Sequence, residues 1–158
     1  MMGRILRMDA VDERILAELQ QDGRLTVTEL AERVDLSASP AHRRLRELER
    51  SGAIRGYQAI VDADALGLGF EALVFITMRL EDRDTVDRFE SALTEVPHLQ
   101  QAQRLFGDPD YLLRVLSTDL AAYQRLYDEH LATLPGVQHI TSTLVMKQVV
   151  AERPLRRH

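Results

Sequence analysis

Residues 26–52 read TVTELAERVDLSASPAHRRLRELERSG, and the punctuation of this stretch decides the fold of the first third of the chain. Thr26, followed three residues later by Glu29, forms a capping-box pattern, and Leu25 ahead of the cap can staple onto Leu30. A short helix over about 27–34 follows. After Asp35 and Leu36, either Ser37 or Ser39 can cap a further helix. Pro40 is tolerated in its first turn because the amide it lacks would be unpaired there. Gly52 stops that helix. Upstream, Asp9 is a suitable N-cap, and Val11, Ile15, Leu16 and Leu19 recur at helical spacing until Gly23. Three helices with a tight break between the second and third predict a helix-turn-helix over residues 1–57.

The third helix is one-sided. At 100° per residue Ala41, Leu45 and Leu48 lie together and must face the other helices, which puts Ser39, Arg43, Arg46 and Arg50 on the opposite side, with His42 on the flank. A helix that opens on small hydroxyl residues and carries outward arginines suits the major groove of double-stranded DNA. Arginine can pair bidentately with the O6 and N7 of guanine, and residues near the helix start reach deepest. Ser39 and Arg43 are therefore assigned to base edges. Arg46 and Arg50 serve bases or phosphates, and the hydroxyls of Thr26 and Ser37 are candidate phosphate donors. The competing reading is a solvated face whose arginines pair with Glu47 and Glu49.

The formal net charge of −5 argues against a DNA binder only if it is spread evenly. It is not: residues 1–56 carry ten arginines and ten carboxylates, whereas residues 57–158 carry ten cations and fifteen carboxylates. Five arginines fall within 42–55 against two glutamates, and local sign governs a surface that meets phosphate. The longest uncharged apolar stretch, 72–78, falls far short of the roughly 20 residues that span a bilayer. The residues before Met8 lack a secretory pattern. With no cysteine, disulfides, thiolate metal sites and thiol nucleophiles are excluded. A cytoplasmic, nucleoid-associated protein is the expectation.

Residues 58–69, with Gly67 and Gly69, read as a linker, although Ile54, Tyr57 and Ile60 suggest a short extended segment over 53–61. Beyond it, strand and helix alternate: a strand over 71–80, a helix over 84–96 burying Val86, Phe89 and Leu93, and strands over 99–106 and 111–117. A second helix over 120–134 buries Leu120, Tyr123, Tyr127 and Leu131, and a last strand runs over 137–149. Val96-Pro97-His98-Leu99-Gln100 echoes Leu134-Pro135-Gly136-Val137-Gln138 at an offset of 38, with Phe89 over Tyr127 and Leu93 over Leu131. Two βαβ halves are implied. The fold class is α+β: a three-helix winged helix-turn-helix, then a ferredoxin-like βαββαβ sandwich over 70–150, then a tail over 151–158. Val74, Ile76, Leu113 and Val115 alternate with Leu73, Phe75, Leu112 and Leu116, so both sheet faces are apolar. A second copy of the chain is the simplest cover for the face the helices leave open.

With these stretches assembled, the sequence resembles the Lrp/AsnC family of leucine-responsive, or feast/famine, regulators. The resemblance covers nearly the whole chain. It rests on residues 9–23 (DAVDERILAELQQDG), 36–52 (LSASPAHRRLRELERSG), Ile54-Arg55-Gly56-Tyr57, 107–113 (GDPDYLL), Leu134-Pro135-Gly136-Val137 and Thr141-Ser142-Thr143. It implies a homodimer assembling further, to tetramer or octamer, and control of amino-acid metabolism genes by a small effector, usually an amino acid, bound between dimers. The residues it assigns to the effector are Arg104, Gly107, Asp108 and Asp110 on the turn between the second and third strands. His130, Ala132, Thr143 and Val145 follow on the second helix and last strand. Asp108 and Asp110 can accept from an α-ammonium, and amides of the Gly-containing turn can donate to a carboxylate. Asp110 and Gly107 equally suit a purely structural turn. Pro109 stands where the family more often has an acidic or aromatic residue.

Other chemistry finds less support. The pairs Asp62/Asp64 and Asp108/Asp110 lack a phosphate loop and read as linker and turn residues rather than a metal site. No nucleophile elbow, zinc helix, phosphate loop or dinucleotide signature occurs, so neither a catalytic site nor a cofactor is expected. Two rival readings stand beside a regulator: a tetrapyrrole decarboxylase of the siroheme type on the same fold, and an architectural DNA-binding protein without an effector.

Overall fold

Asp9 begins the fold by accepting hydrogen bonds from the amides of Val11 and Asp12, while Asp12 returns one to the Asp9 amide. Helix α1, Ala10–Gln21, follows this reciprocal cap, which satisfies amides that a helix start leaves bare. Thr26 and Glu29 make the second such box, and α2 runs Val27–Arg33. Helix α3, Ala38–Arg50, has Ser37 at its N-cap position, so Ser39 lies inside the helix; the Ser37 side chain makes no cap bond. At its end Gly52 adopts φ +79, and the Ile54 amide reaches back to the Leu48 carbonyl at 3.0 Å. Only a residue at ease with positive φ closes a helix in this way. Ile15, Leu30, Val34 and Leu48 form the core of this unit. The extended segment expected over 53–61 pairs with no strand: Ala53 and Ile54 pack on the helical core instead.

The computed structural model describes residues 8–79, 82–150 and 153–155. The expected strand end at Leu80, the residues before Met8 and most of the expected tail lie outside them. The chain divides into two compact units, Met1–Ile60 with Val150–His158, and Val61–Val149. Within the expected linker, Asp64–Leu66 form one 3-10 turn.

In the second unit, β1 is Phe70–Met78, β2 is Leu99–Arg104, β3 is Tyr111–Ser117 and β4 is Val137–Leu144. They lie in the order β2-β3-β1-β4, every pair antiparallel. Helix α4, Arg83–Leu93, joins β1 to β2. Helix α5, Leu120–Leu126, continues as a π-helical turn over Tyr127–Leu131 and joins β3 to β4. The βαββαβ order is that of the ferredoxin-like sandwich. Strand alternation turns Ala72, Val74, Ile76, Tyr111, Leu113 and Val115 toward a core completed by Phe89, Leu93, Tyr123 and Leu131. Leu120, expected in that core, is half exposed, because the Asp119 cap starts the helix with this side chain turned outward. The last strand stops at Leu144 rather than 149, since β1 offers it no partner beyond the Glu71 carbonyl, which binds the Val145 amide. Leu73, Phe75 and Leu112 share the open face, and there Arg114 grips Glu71 through two bonds of 2.7 and 2.9 Å.

Candidate DNA-binding helix and ligand cleft

Helix α3 presents two chemically distinct sides. Ala41 and Leu48 are buried, while Ser39, His42, Arg43, Arg46 and Arg50 are exposed. Arg44 falls between them and turns inward, where its Nη1 lies 2.8 Å from both Asp9 and Asp12 at the start of α1. These bonds hold the guanidinium charged, and the Asp12 amide and Arg44 together keep the Asp9 carboxyl below its ordinary range. Arg44 thus ties α3 to α1.

The outward arginines differ in readiness. Arg50 grips Glu47 through Nη2 at 2.8 Å, and Arg46 lies 3.6 Å from Glu49 while its Nε donates to His42 at 3.4 Å. Arg43 has no ion pair among the described residues. The solvated-face reading therefore describes Arg46 and Arg50 as they stand, but not Arg43. Exposed pairs of this kind are worth about 0.5 kcal/mol, so a phosphate oxygen can displace them. Of the candidate phosphate donors, Ser37 is exposed and makes no cap bond, whereas the Thr26 hydroxyl already donates to Glu29 at 2.8 Å.

The turn between β2 and β3 carries the second site. Arg104, Gly107, Asp110, Leu105, Phe106 and Tyr111 line an open cleft of about 600 Å³, with Met78 and Val86 at its apolar side. Asp110 is already committed: its carboxylate accepts from the Met78 amide at 2.6 Å. Asp108 accepts from the Thr77 hydroxyl at 3.3 Å. Neither carboxylate stands idle for an ammonium group. The Tyr111 phenol donates to Glu90 at 2.8 Å, and burial together with that bond pushes its pKa up to about 12. Arg104 lies 3.9 Å from the same Glu90 and 6.0 Å from the centre of the Tyr111 ring. A cation, an aromatic ring and an apolar wall therefore meet in one cleft.

The remaining expected effector residues lie elsewhere in the unit. His130 borders a smaller hollow of about 230 Å³ with His98, Arg125 and Glu129, and Ala132 is exposed just beyond the π-helical turn. Thr143 pairs with Leu73, four residues along β1 from the Thr77 that binds Asp108, a separation of about 13 Å at strand rise. Val145 lies farther still. One chain does not bring the eight residues together. Phe106 was missed because the second strand was expected to include it; the strand ends at Arg104 and leaves this ring fully exposed on the turn. The one available signal was an aromatic residue directly before Gly107-Asp108-Pro109-Asp110. Glu90 gave none, since its role depends on the packing of α4 against β3. Among the described residues no group of three or more acidic or histidine side chains is placed to hold a metal, and no helix is long and apolar enough to cross a membrane.

Comparison with known proteins bears on both sites. Residues 8–55 match the family model for a winged helix-turn-helix DNA-binding domain, and residues 71–155 match the Lrp/AsnC ligand binding domain. The chain is 39% identical over 142 residues to the leucine-responsive regulatory protein of Klebsiella pneumoniae, covering 90% of this chain and 87% of that one. To its Escherichia coli K12 counterpart the identity is 38%, with the same coverage. A transcriptional regulator of Neisseria meningitidis, solved as its L-Met complex, superposes with a TM-score of 0.88 at 35% identity, covering 94% of this chain and 96% of that one. An AsnC family regulator of Agrobacterium tumefaciens gives 0.88 at 33%, with the same coverage.

Proposed function

Because this chain belongs to the Lrp/AsnC family, we propose that it is a sequence-specific transcriptional regulator of amino-acid metabolism genes whose occupancy of DNA is set by an amino-acid effector. The observation that carries the reading is the outward side of α3, where Ser39, His42 and an unpaired Arg43 stand opposite buried Ala41 and Leu48. Ser39 and Arg43 read base edges; Arg46 and Arg50 exchange their glutamate partners for phosphates or bases.

The effector half of the proposal rests on the cleft at the β2–β3 turn. Arg104 offers a counter-charge to a carboxylate, and Met78, Val86 and Phe106 offer apolar surface to a side chain. A relative solved with L-Met supports an amino acid of this kind. The separation of Thr143 and Val145 from the turn within one chain supports a pocket completed between copies. Leu73, Phe75 and Leu112 on the open sheet face give two chains an apolar surface to share, so dimers and larger rings are the proposed assembly. Effector binding then shifts the assembly, and DNA occupancy follows by linkage.

Selection of genomic fragments by the purified protein, repeated with each amino acid in turn, tests the reading. A recurrent sequence motif whose recovery changes with one or a few amino acids is the expected result. Recovery of fragments without any shared motif sinks the regulator reading, and a motif indifferent to all twenty amino acids sinks the effector.

A further inference from the structure

The last described residues return to the DNA-binding unit and are held there by one side chain. The Oε1 of Gln20 accepts from the Leu155 amide at 2.6 Å, and its Nε2 donates to the Leu155 carbonyl at 3.0 Å. The same Nε2 bonds the Leu16 carbonyl at 3.2 Å, which fixes the amide on α1. Gln20 thus treats Leu155 as a neighbouring strand would, through main-chain groups alone. The Leu155 side chain stays 86% exposed, and Arg153 is exposed without an ion pair among the described residues.

Charge gives this clasp a consequence. Residues 1–60 are electrically balanced, with ten arginines and ten carboxylates. Residues 150–158 add Arg153, Arg156 and Arg157 against Glu152 alone, so the unit they join becomes positive by two side-chain charges. Residues 61–149 carry seven cations against fourteen carboxylates, a surface that repels DNA. Position agrees with charge. A Cβ on Gly23, just after α1, would sit 3.7 Å from the Tyr57 ring, and the Tyr57 hydroxyl donates to Glu49 on α3 at 3.1 Å. The end of α1 that carries Gln20 therefore borders the end of α3 that carries Arg46 and Arg50. Arg156 and Arg157 follow Leu155 by one and two residues, within about 7 Å of chain.

We propose that residues 153–157, clasped to α1 by Gln20, form a second phosphate-binding element that extends the cationic surface of α3 along the DNA backbone. The element carries no base readout, so it raises affinity for every sequence alike. This rests on the DNA-binding reading above.

The test uses the full chain and a random-sequence duplex, with fluorescence anisotropy read across a potassium chloride series. The triple variant Arg153→Gln, Arg156→Gln, Arg157→Gln should weaken binding about tenfold near 0.1 M salt and flatten the log–log salt slope by about two per chain. Gln20→Ala keeps every charge but releases the clasp, and should flatten the slope by about one. Both should keep the wild-type mass and melting midpoint. A triple variant with the wild-type slope overturns the phosphate element, and a Gln20→Ala variant with the wild-type slope overturns the clasp. If the wild type itself binds no duplex, the regulator reading falls; if it binds and the variants match it, only this inference falls.

Discussion

The Arg44 guanidinium lies 2.8 Å from the Asp12 carboxylate, joining the middle of α3 to the first turn of α1 across 32 residues of sequence. The same nitrogen reaches Asp9, whose other oxygen caps α1. One cation therefore holds both the helix start and the helix that carries the DNA-facing row. Arg44→Ala should lower the melting midpoint of the DNA-binding unit by a few degrees, followed by circular dichroism, without removing any side chain from the outward face. The pH dependence has a definite sign. Asp9 is held below its ordinary carboxyl range, so its contribution is present above the unfolded-state value near 4 and is lost as pH falls through the lower folded value. The gap between wild type and Arg44→Ala should close in acid. A constant gap from neutral pH down past that range would refute the arrangement.

Arg43, one position earlier, should behave in the opposite way. It is exposed and unpaired among the described residues, so Arg43→Ala leaves packing intact and melting unchanged. Loss of a bidentate base contact costs about 1–3 kcal/mol, or roughly 5- to 150-fold in affinity for the selected motif, with random-sequence DNA much less affected. Gel shift on the two duplexes measures the ratio. An unchanged ratio would remove Arg43 from base reading.

How far the sequence led depends on whether local chemistry or distant packing decided each residue. The caps at Asp9 and Thr26 and the stop at Gly52 were legible because each is settled within a few residues. The inward turn of Arg44 was not: it needs two acids on another helix. The chain order β-α-β-β-α-β was readable from periodicity and from the internal echo at 38 residues. Strand ends were not, because they depend on partners, as at Leu144. Asp110 shows the limit most plainly. The pairing of β1 with β4 shifts between Thr77 and Met78, and the Met78 amide takes the Asp110 carboxylate as its acceptor. A register shift leaves no mark on the sequence, so a residue assigned to a ligand proves to carry a strand end as well.

Phe89 is fully buried against the sheet, its ring 4.6 Å from that of Tyr111. Phe89→Ala empties the middle of the second unit's core, and such truncations cost about 3–5 kcal/mol. Urea unfolding monitored on that unit should show a midpoint drop of that size. A shift below about 1 kcal/mol would mean that the site collapses around the deletion.

Tyr111 links this core to the ligand cleft, and its ionisation is a probe of both. Its phenol is held neutral by burial and by the bond to Glu90, with a pKa of about 12. A folded value above the ordinary one near 10 means that the phenol's contribution to stability is whole below about pH 10 and is lost as pH rises through 12. Tyrosinate absorbance should therefore show a late step, and Tyr111→Phe should abolish it. Glu90→Gln should bring the step earlier, because a neutral amide no longer opposes the tyrosinate charge.

The cleft itself is tested by separating what Asp110 does for the strand from what it does for a ligand. Its carboxylate binds the Met78 amide, so Asp110→Ala leaves that amide without its partner and should cost about 1–3 kcal/mol of stability as well as the effector response. Asp110→Asn keeps an acceptor oxygen for the amide while removing the negative charge. If Asp110 also meets the effector's ammonium group, the Asn variant should melt close to wild type yet lose its response, since the charge-assisted bond is gone. If the carboxylate serves only the strand, the Asn variant should respond normally. Titration of both variants with the amino acid that shifts DNA binding in the wild type, read beside their melting midpoints, decides between the two roles.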